Sequence, residues 1–292
     1  LGLIGAGSYV QDVLLPILSS SVDVELSALA TGSGFTAPGV ASRFGIRAVL
    51  GSADDVLETS ALDAVLVGTR HGSHARFGEA VLRHGKHLFV EKPLALTSSQ
   101  LETIETAWRT SGRLAMVGFN RSHAPFTEAI LQRMGGSIRL VQIRVNAGQL
   151  PDDHWLHDLE SGGGRLLGEG CHFVDLALRL LGGQVLEVSC SGAPVPGRAV
   201  QAWDDFVLTM KTDAGGVACI SYSGSGGQGL AKECVEVFGG GVSAVIDDFK
   251  RLTFFEGGKS KAINSGQDKG QKRQMQRFIQ GCRGEELEAR QQ

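Results

Sequence analysis

Gly5-Ala6-Gly7-Ser8-Tyr9-Val10 stands where an apolar run gives way to a helical pattern, and that junction constrains the fold of the 292-residue chain more than any other segment. Residues 1–5 form the apolar run, and residues 10–18 carry apolar side chains at helical spacing. The same alternation continues downstream. Strand-like runs at 24–30, 64–68, 88–91 and 114–118 are interleaved with helical patterns at 74–82 and 101–108. Thr97, followed by Glu102 and the apolar Leu101, Ile104 and Trp108, predicts a helix beginning at Ser98 or Ser99. Strand and helix repeated in this way imply a parallel sheet covered on both faces.

The turn itself has a chemical reading. Glycine at 5 permits the tight bend, and glycine at 7 lets the backbone approach a pyrophosphate. The amides of Ser8 and Tyr9, at the start of the helix, then face the anion. A G-x-G alone is weak evidence, but between a strand and a helix it implies NAD or NADP binding. The third position is Val10 rather than Gly or Ala, so helix and strand are expected to pack slightly farther apart. The second strand should end near Ala30 or Thr31, where NAD-preferring sites carry an acid for the ribose 2′-hydroxyl. Thr31-Gly32-Ser33-Gly34 offers neither acid nor arginine, which leaves the choice open and removes one obstacle to NADP.

After about residue 120 the texture changes, so residues 1–120 read as a Rossmann dinucleotide-binding domain and 121–292 as a second domain. A helix at 125–134 leads into a long strand at 138–147. Another helix at 170–181 is closed by Gly182-Gly183. Strand-like runs follow at 185–191, 205–211, 217–222, 233–238, 244–247 and 252–255, and a last helix at 271–282. Runs of strands with few helices predict an α+β substrate-binding domain with a large, mostly antiparallel open sheet. The fold class is α/β overall.

Two segments carry candidate chemistry. Glu91-Lys92-Pro93 follows the strand at 88–91, at the edge where a parallel sheet presents its ligands. Lys92 there can reach a substrate oxygen or orient the nicotinamide; a lone lysine after a strand would otherwise be a surface residue. Farther on, Glu169, His172 and Asp175 recur every three residues at a helix start and share a face of an otherwise apolar segment. Burying such groups is costly without a purpose. His172 can exchange a hydroxyl proton as hydride leaves the same carbon, because imidazole titrates near neutrality. A structural His–Asp hydrogen bond is the bland alternative.

With these motifs in place, the chain resembles the glucose-fructose oxidoreductase and inositol dehydrogenase family (Gfo/Idh/MocA). The resemblance rests on GAGSYV, on Thr69-Arg70-His71-Gly72-Ser73-His74-Ala75, on Gly85-Lys86-His87-Leu88-Phe89-Val90-Glu91-Lys92-Pro93, and on the Gly162–Gly164 block with His172 and Asp175. It covers essentially the whole chain in one order. It implies Lys92 as catalytic lysine and His172 as catalytic histidine, with Glu169 and Asp175 in support. It also implies cofactor contacts from Gly5, Gly7, Ser8, Tyr9, Thr31, Thr69, Arg70, His74, Glu91, Lys92 and Pro93. An open sheet used for oligomer contacts, giving a homo-dimer or tetramer, belongs to the same implication. One departure stands out: family members place an aspartate four residues before the histidine, and this chain has Gly168. Glu169 is adjacent, about 100° around a helix from that slot.

Further segments around Asn120, His154 and residues 265–270 look like the second half of bi-domain oxidoreductases whose first half resembles a zinc-dependent alcohol dehydrogenase. The chain opens at Leu1 without an initiator Met, which implies residues upstream, either a short stretch or an entire fused domain. Candidate substrate residues are Asn120, Arg121, His154, Trp155 and His172. His154-Trp155 forms either a sugar-stacking wall or an anchor for the loop. Arg121 either binds a substrate anion or pairs with a domain-interface acid.

The remaining composition narrows the partners. A net charge of -3 with scattered basic residues gives no footprint for nucleic acid. No apolar run reaches the length of a membrane span, and no signal peptide is visible. Five widely spaced cysteines without a C-x-x-C pair argue for no metal site and for a reducing cytoplasm, with Cys190 and Cys219 read as small buried hydrophobes. The sequence therefore leads to NAD(P)-dependent hydride transfer at a hydroxyl or keto carbon of a sugar-like substrate. Two alternatives remain: transient oxidation that drives glycoside cleavage, and a non-catalytic NAD(P)-binding module.

Overall fold

The computed structural model describes residues 1–32, 35–194 and 203–285. It divides into two compact units, Leu1–Gly118 joined by the last helix from Gln271, and Phe119–Gly270. The sequence division at 120/121 puts that last helix with the second domain. In the structure its apolar face, with Met275 and Phe278 buried, lies in the core of the first unit, where the Phe278 ring meets Phe89 edge-on at 5.5 Å.

The first unit is built on β1 (Gly2–Ile4), β2 (Ala28–Ala30), β3 (Ala48–Val49), β4 (Ala64–Val67), β5 (His87–Val90) and β6 (Ala115–Val117). All pair in parallel, in the order β3-β2-β1-β4-β5-β6. The helices are α1 (Leu15–Ser19), α2 (Ala37–Phe44), α3 (Ala53–Glu58), α4 (His74–Arg83) and α5 (Ser98–Ser111). As expected, α5 starts at Ser98, with the Thr97 hydroxyl accepting from Gln100 N. Gly78 lets α4 pack close: a Cβ there would meet Ile104 of α5 and Leu88 of β5 at 3.2 Å. Buried strand residues such as Leu3, Val65, Leu66 and Phe89 explain why these strands read as continuous apolar runs.

The second unit comprises α6 (Pro125–Met134), β7 (Ile138–Asn146), α7 (Cys171–Leu181), β8 (Val185–Gly192), β9 (Asp205–Thr212), β10 (Val217–Ser223), β11 (Glu233–Gly239), β12 (Val242–Asp247), β13 (Arg251–Glu256) and β14 (Lys259–Asn264). Its sheet runs β14-β13-β12-β11-β7-β10-β9-β8, antiparallel except for the β7–β10 pair. Strands here alternate, as in the buried Phe206, Leu208 and Met210 of β9. Those inner positions pack with Phe173, Leu176 and Leu180 of α7 in one core. Pro125 opens α6 at its first position. The last helix is α8 (Gln271–Cys282).

Two expectations change. Cys190 is exposed, not buried, because β8 is an edge strand with nearly every residue exposed, and Cys219 is only half-buried. The helix expected from Gly170 starts at Cys171 and is preceded by a π-helical turn over Leu166–Gly170. A second π turn, Val10–Leu14, follows the glycine turn of the first unit. Such turns concentrate at functional sites. Among the described residues no helix is long and apolar enough to cross a membrane.

Candidate functional site

In the first unit the chain leaves β1 for β2 and β3 on one side, then returns to β4 on the other. The loops after β1 and β4 therefore diverge and leave a crevice at the carboxyl edge of the sheet. The glycine turn enters this crevice. Gly5 has φ +87°, and a Cβ there would lie 2.7 Å from both Gly68 O and Thr69 Cγ2. Only glycine fits that wall. Gly7 is exposed, with nothing within 4 Å of its missing Cβ, so its backbone is open to a ligand. Ser8 and Tyr9 are exposed beside it. An exposed turn whose glycine backbone has open space in front of it, at the start of a helix, suits a phosphate-bearing cofactor. Val10 is buried, and its bulk is taken up at Gly68, where a Cβ would meet Val10 Cγ2 at 2.4 Å. Thr31 follows β2 half-buried; Ser33 and Gly34 lie outside the described residues.

The other loops of this edge carry the remaining candidates. Thr69 is half-buried, with its hydroxyl 2.7 Å from Ser73 Oγ, and Arg70 is exposed. Glu91 is 8% exposed, its carboxyl lodged where Gly118 has no side chain; a Cβ at Gly118 would lie 2.8 Å from both carboxylate oxygens. Burial pushes the Glu91 carboxyl up to about 7, with the Lys92 charge opposing. Lys92 is half-buried and precedes a buried Pro93 through a cis peptide. His74 departs from the expectation of a direct cofactor contact. It is fully buried at the start of α4, with Nδ1 2.8 Å from Pro93 O and Nε2 3.0 Å from Thr69 O.

In the second unit the expected triad has distinct partners. Ser122 Oγ donates to Asp175 Oδ2, so Asp175 braces the 3-10 turn Asn120–His123. His172 is 9% exposed, its ring edge-on to Phe119 at 6.1 Å. Glu169 Oε2 accepts from the Tyr222 hydroxyl at 2.5 Å. Gly168, in the slot of the missing aspartate, is buried.

Behind Glu169 lies a network that the sequence did not reveal. Arg165 is 2% exposed. It donates to Asp204 Oδ1 at 2.9 Å, to the Tyr222 hydroxyl at 3.0 Å and to Gly148 O at 2.6 Å. His157 Nε2 lies 3.1 Å from the same Asp204 oxygen. Burial, then the Glu169 charge, pushes the Tyr222 hydroxyl up, so it stays protonated and must donate. The ordered chain Arg165→Tyr222→Glu169 holds the carboxylate in one orientation. The only signal for it in the sequence was an arginine set among Gly and Leu in GGGRLLGEG.

Asn120 and Arg121 are both buried and bonded within the second unit. Asn120 is 3% exposed and donates to Lys269 O at 2.7 Å. Arg121 holds Glu233 in a two-pronged pair at 2.7 Å for each bond, with Lys269 Nζ also 2.7 Å from Glu233. The acid that pairs with Arg121 is thus on β11 of the same unit. Burial alone would push Glu233 up, but the bonds and charges of Arg121 and Lys269 outweigh it and hold the carboxyl at about 2. His154 and Trp155 are both half-buried, with rings 5.7 Å apart, and His154 Nδ1 accepts from Leu156 N.

Comparison with known proteins gives two family matches. The model described as "Oxidoreductase family, NAD-binding Rossmann fold" matches residues 1–119, and "GFO/IDH/MocA C-terminal domain" matches residues 126–244. Inositol 2-dehydrogenase from Rhizobium meliloti is 28% identical over 230 residues, covering 76% of this chain and 68% of that protein. dTDP-3,4-didehydro-2,6-dideoxy-alpha-D-glucose 3-reductase from Streptomyces antibioticus is 28% identical over 185 residues, covering 62% of this chain and 56% of the relative. The chain thus spans only part of the length of these relatives. A 3-ketoreductase from Actinomadura kijaniata, solved with NADP and TDP-benzene, has a TM-score of 0.81 at 21% identity, covering 97% of this chain and 89% of its own. At that identity the likeness is one of fold.

Proposed function

Because the chain belongs to the Gfo/Idh/MocA family of NAD-binding oxidoreductases, we propose that it moves a hydride between NAD or NADP and a hydroxyl- or keto-bearing carbon of a sugar, cyclitol or nucleotide-linked sugar. The observation that carries this reading is the parallel order β3-β2-β1-β4-β5-β6 with the Gly5 turn pressed against Gly68 and Thr69 at its switch point. The substrate class is supported by the relatives, which include an inositol dehydrogenase and a deoxysugar reductase.

In this mechanism the exposed backbone of Gly7, Ser8 and Tyr9 holds the pyrophosphate, with Thr31, Thr69, Arg70 and the Glu91–Pro93 segment lining the rest of the cradle. The bound nicotinamide supplies the hydride acceptor or donor. Lys92 holds the reacting oxygen and stabilises the charge that develops on it. His172 accepts the hydroxyl proton in oxidation and returns it in reduction, so the alcohol loses one hydride and one proton to become a ketone. Glu169, aimed by Tyr222 and Arg165, takes the place of the aspartate that Gly168 lacks. His154 and Trp155 offer ring faces to a sugar. The reading includes a cytoplasmic homo-oligomer; the exposed Val207 and Val217, on the side of the second unit's sheet away from the buried Phe206, Leu208 and Met210, supply apolar surface for it.

Lys92→Ala tests the reaction. Turnover of NAD(P) with a polyol panel should fall about a hundredfold or more while NADH affinity stays within a few-fold. Undiminished turnover would remove Lys92 from the mechanism. Cofactor binding without net cofactor turnover on any polyol would favour transient oxidation or a non-catalytic module.

A further inference from the structure

His74 presents a proton-count problem. Both ring nitrogens of a fully buried imidazole sit at hydrogen-bond distance from backbone carbonyls, 2.8 Å to Pro93 O and 3.0 Å to Thr69 O. A carbonyl only accepts, and a neutral imidazole has one N–H. The neutral ring therefore satisfies one carbonyl and turns a lone pair on the other. Only the protonated ring donates to both.

The two carbonyls belong to different walls of the cradle. Thr69 forms the wall of the Gly5 turn, where its Cγ2 and Gly68 O leave no room for a Cβ. Pro93 ends the segment that carries Lys92. One side chain, fixed at the first residue of α4, thus ties the pyrophosphate side of the cradle to the lysine side. We propose that His74 is a positioning residue for the cofactor site, joining the Thr69 and Pro93 loops by two bonds when its ring is protonated and by one when it is neutral. This rests on the reading that these loops hold a nicotinamide cofactor.

The surroundings set the direction. Burial holds the ring below its ordinary value, the Pro93, Thr69 and Glu91 backbone groups oppose, and the Lys92 charge adds to the lowering. His71 also faces it, with its ring 5.6 Å away, while Glu91 meets it through its backbone. The rest of the buried face of α4 is Ala75, Gly78, Val81 and Leu82. The ring is therefore neutral at pH 7, and the second tie forms as the solution is acidified.

The test is a fluorescence titration with NADH, and in parallel NADPH, from about pH 8 down to about 5, carried below the usual imidazole range because burial holds the ring under it. Wild-type affinity should rise as pH falls, by roughly three- to tenfold, the worth of one hydrogen bond. His74→Asn places an amide N–H near the Nδ1 position and keeps the Pro93 tie; His74→Gln does so near Nε2 and keeps the Thr69 tie. Neither amide titrates, so each variant should lose the part of the pH slope that distinguishes it from wild type, while Glu91 contributes equally to all three. His74→Phe should bind most weakly. Variants that match wild type in affinity and pH slope would overturn the proposal. A wild-type protein that binds neither cofactor would overturn the cofactor reading first, so the two failures are told apart.

Discussion

Replacing Tyr222 by Phe removes one oxygen from the centre of the second unit and leaves its ring packing intact. The ring stacks on Phe206 at 4.9 Å, nearly parallel, and lies 6.3 Å from Phe173, so no cavity larger than the hydroxyl opens. Two hydrogen bonds are lost: the 2.5 Å bond donated to Glu169 and the 3.0 Å bond accepted from Arg165. The first involves a charged acceptor, and the second leaves an Arg165 N–H facing carbon in a residue 2% exposed. Together they are worth about 3 kcal/mol of unfolding free energy. Urea unfolding followed by circular dichroism measures it, with an unchanged m-value confirming that the loss lies in the native state. The same substitution in a Glu169→Gln background should cost about 1 kcal/mol less, because the charged acceptor is already gone. A loss under about 1 kcal/mol, or an identical loss in both backgrounds, would refute the chain from Arg165 to Glu169.

Other substitutions probe other parts of the account. Glu91 has a folded-state value raised from 4.5 to about 7, so the folded protein binds the extra proton in that window and stability falls as pH rises through it. Glu91→Gln should flatten the decline in melting temperature between about pH 4.5 and 7, and a decline of unchanged slope would contradict the assignment. Gly5→Ala meets both a positive φ and a carbonyl 2.7 Å from the new Cβ, so NADH binding should weaken more than about tenfold; near-normal binding would show that the turn does not carry the cofactor.

How far the sequence reveals this molecule depends on the range of the forces involved. The helix Pro125–Met134 is legible because Pro opens it and Gly follows it, both local signals. The strand Lys259–Asn264 is not, because all six residues are exposed and no apolar alternation marks it. The strand Ala48–Val49 has two exposed residues and no signal at all. The helix Ala53–Glu58 is missing from the sequence reading although its capping box, Ser52 with Asp55, is written in the chain.

The site divides in the same way. The Gly5 turn and the Glu91–Pro93 segment are contiguous motifs and stand out at once. Arg165, Tyr222 and Asp204 meet across dozens of residues, so only the folded sheet brings them together. Arg121 was ambiguous because its partner Glu233 lies 112 residues away. Val10, which by itself predicts a wider spacing of helix and strand, finds its space at Gly68 on a neighbouring strand's end, a position the local sequence does not reveal.

The central claim is direct hydride exchange at a hydroxyl carbon, and a label-transfer experiment tests it most directly. Whichever polyol of the panel supports the highest cofactor turnover is prepared with deuterium on the reacting carbon and incubated with NAD or NADP. The account predicts that the deuterium appears on the nicotinamide ring in step with formation of the ketone, and that Lys92→Ala slows both about a hundredfold or more while still binding cofactor. Ketone formed without label on the nicotinamide, or label lost to solvent, would contradict it.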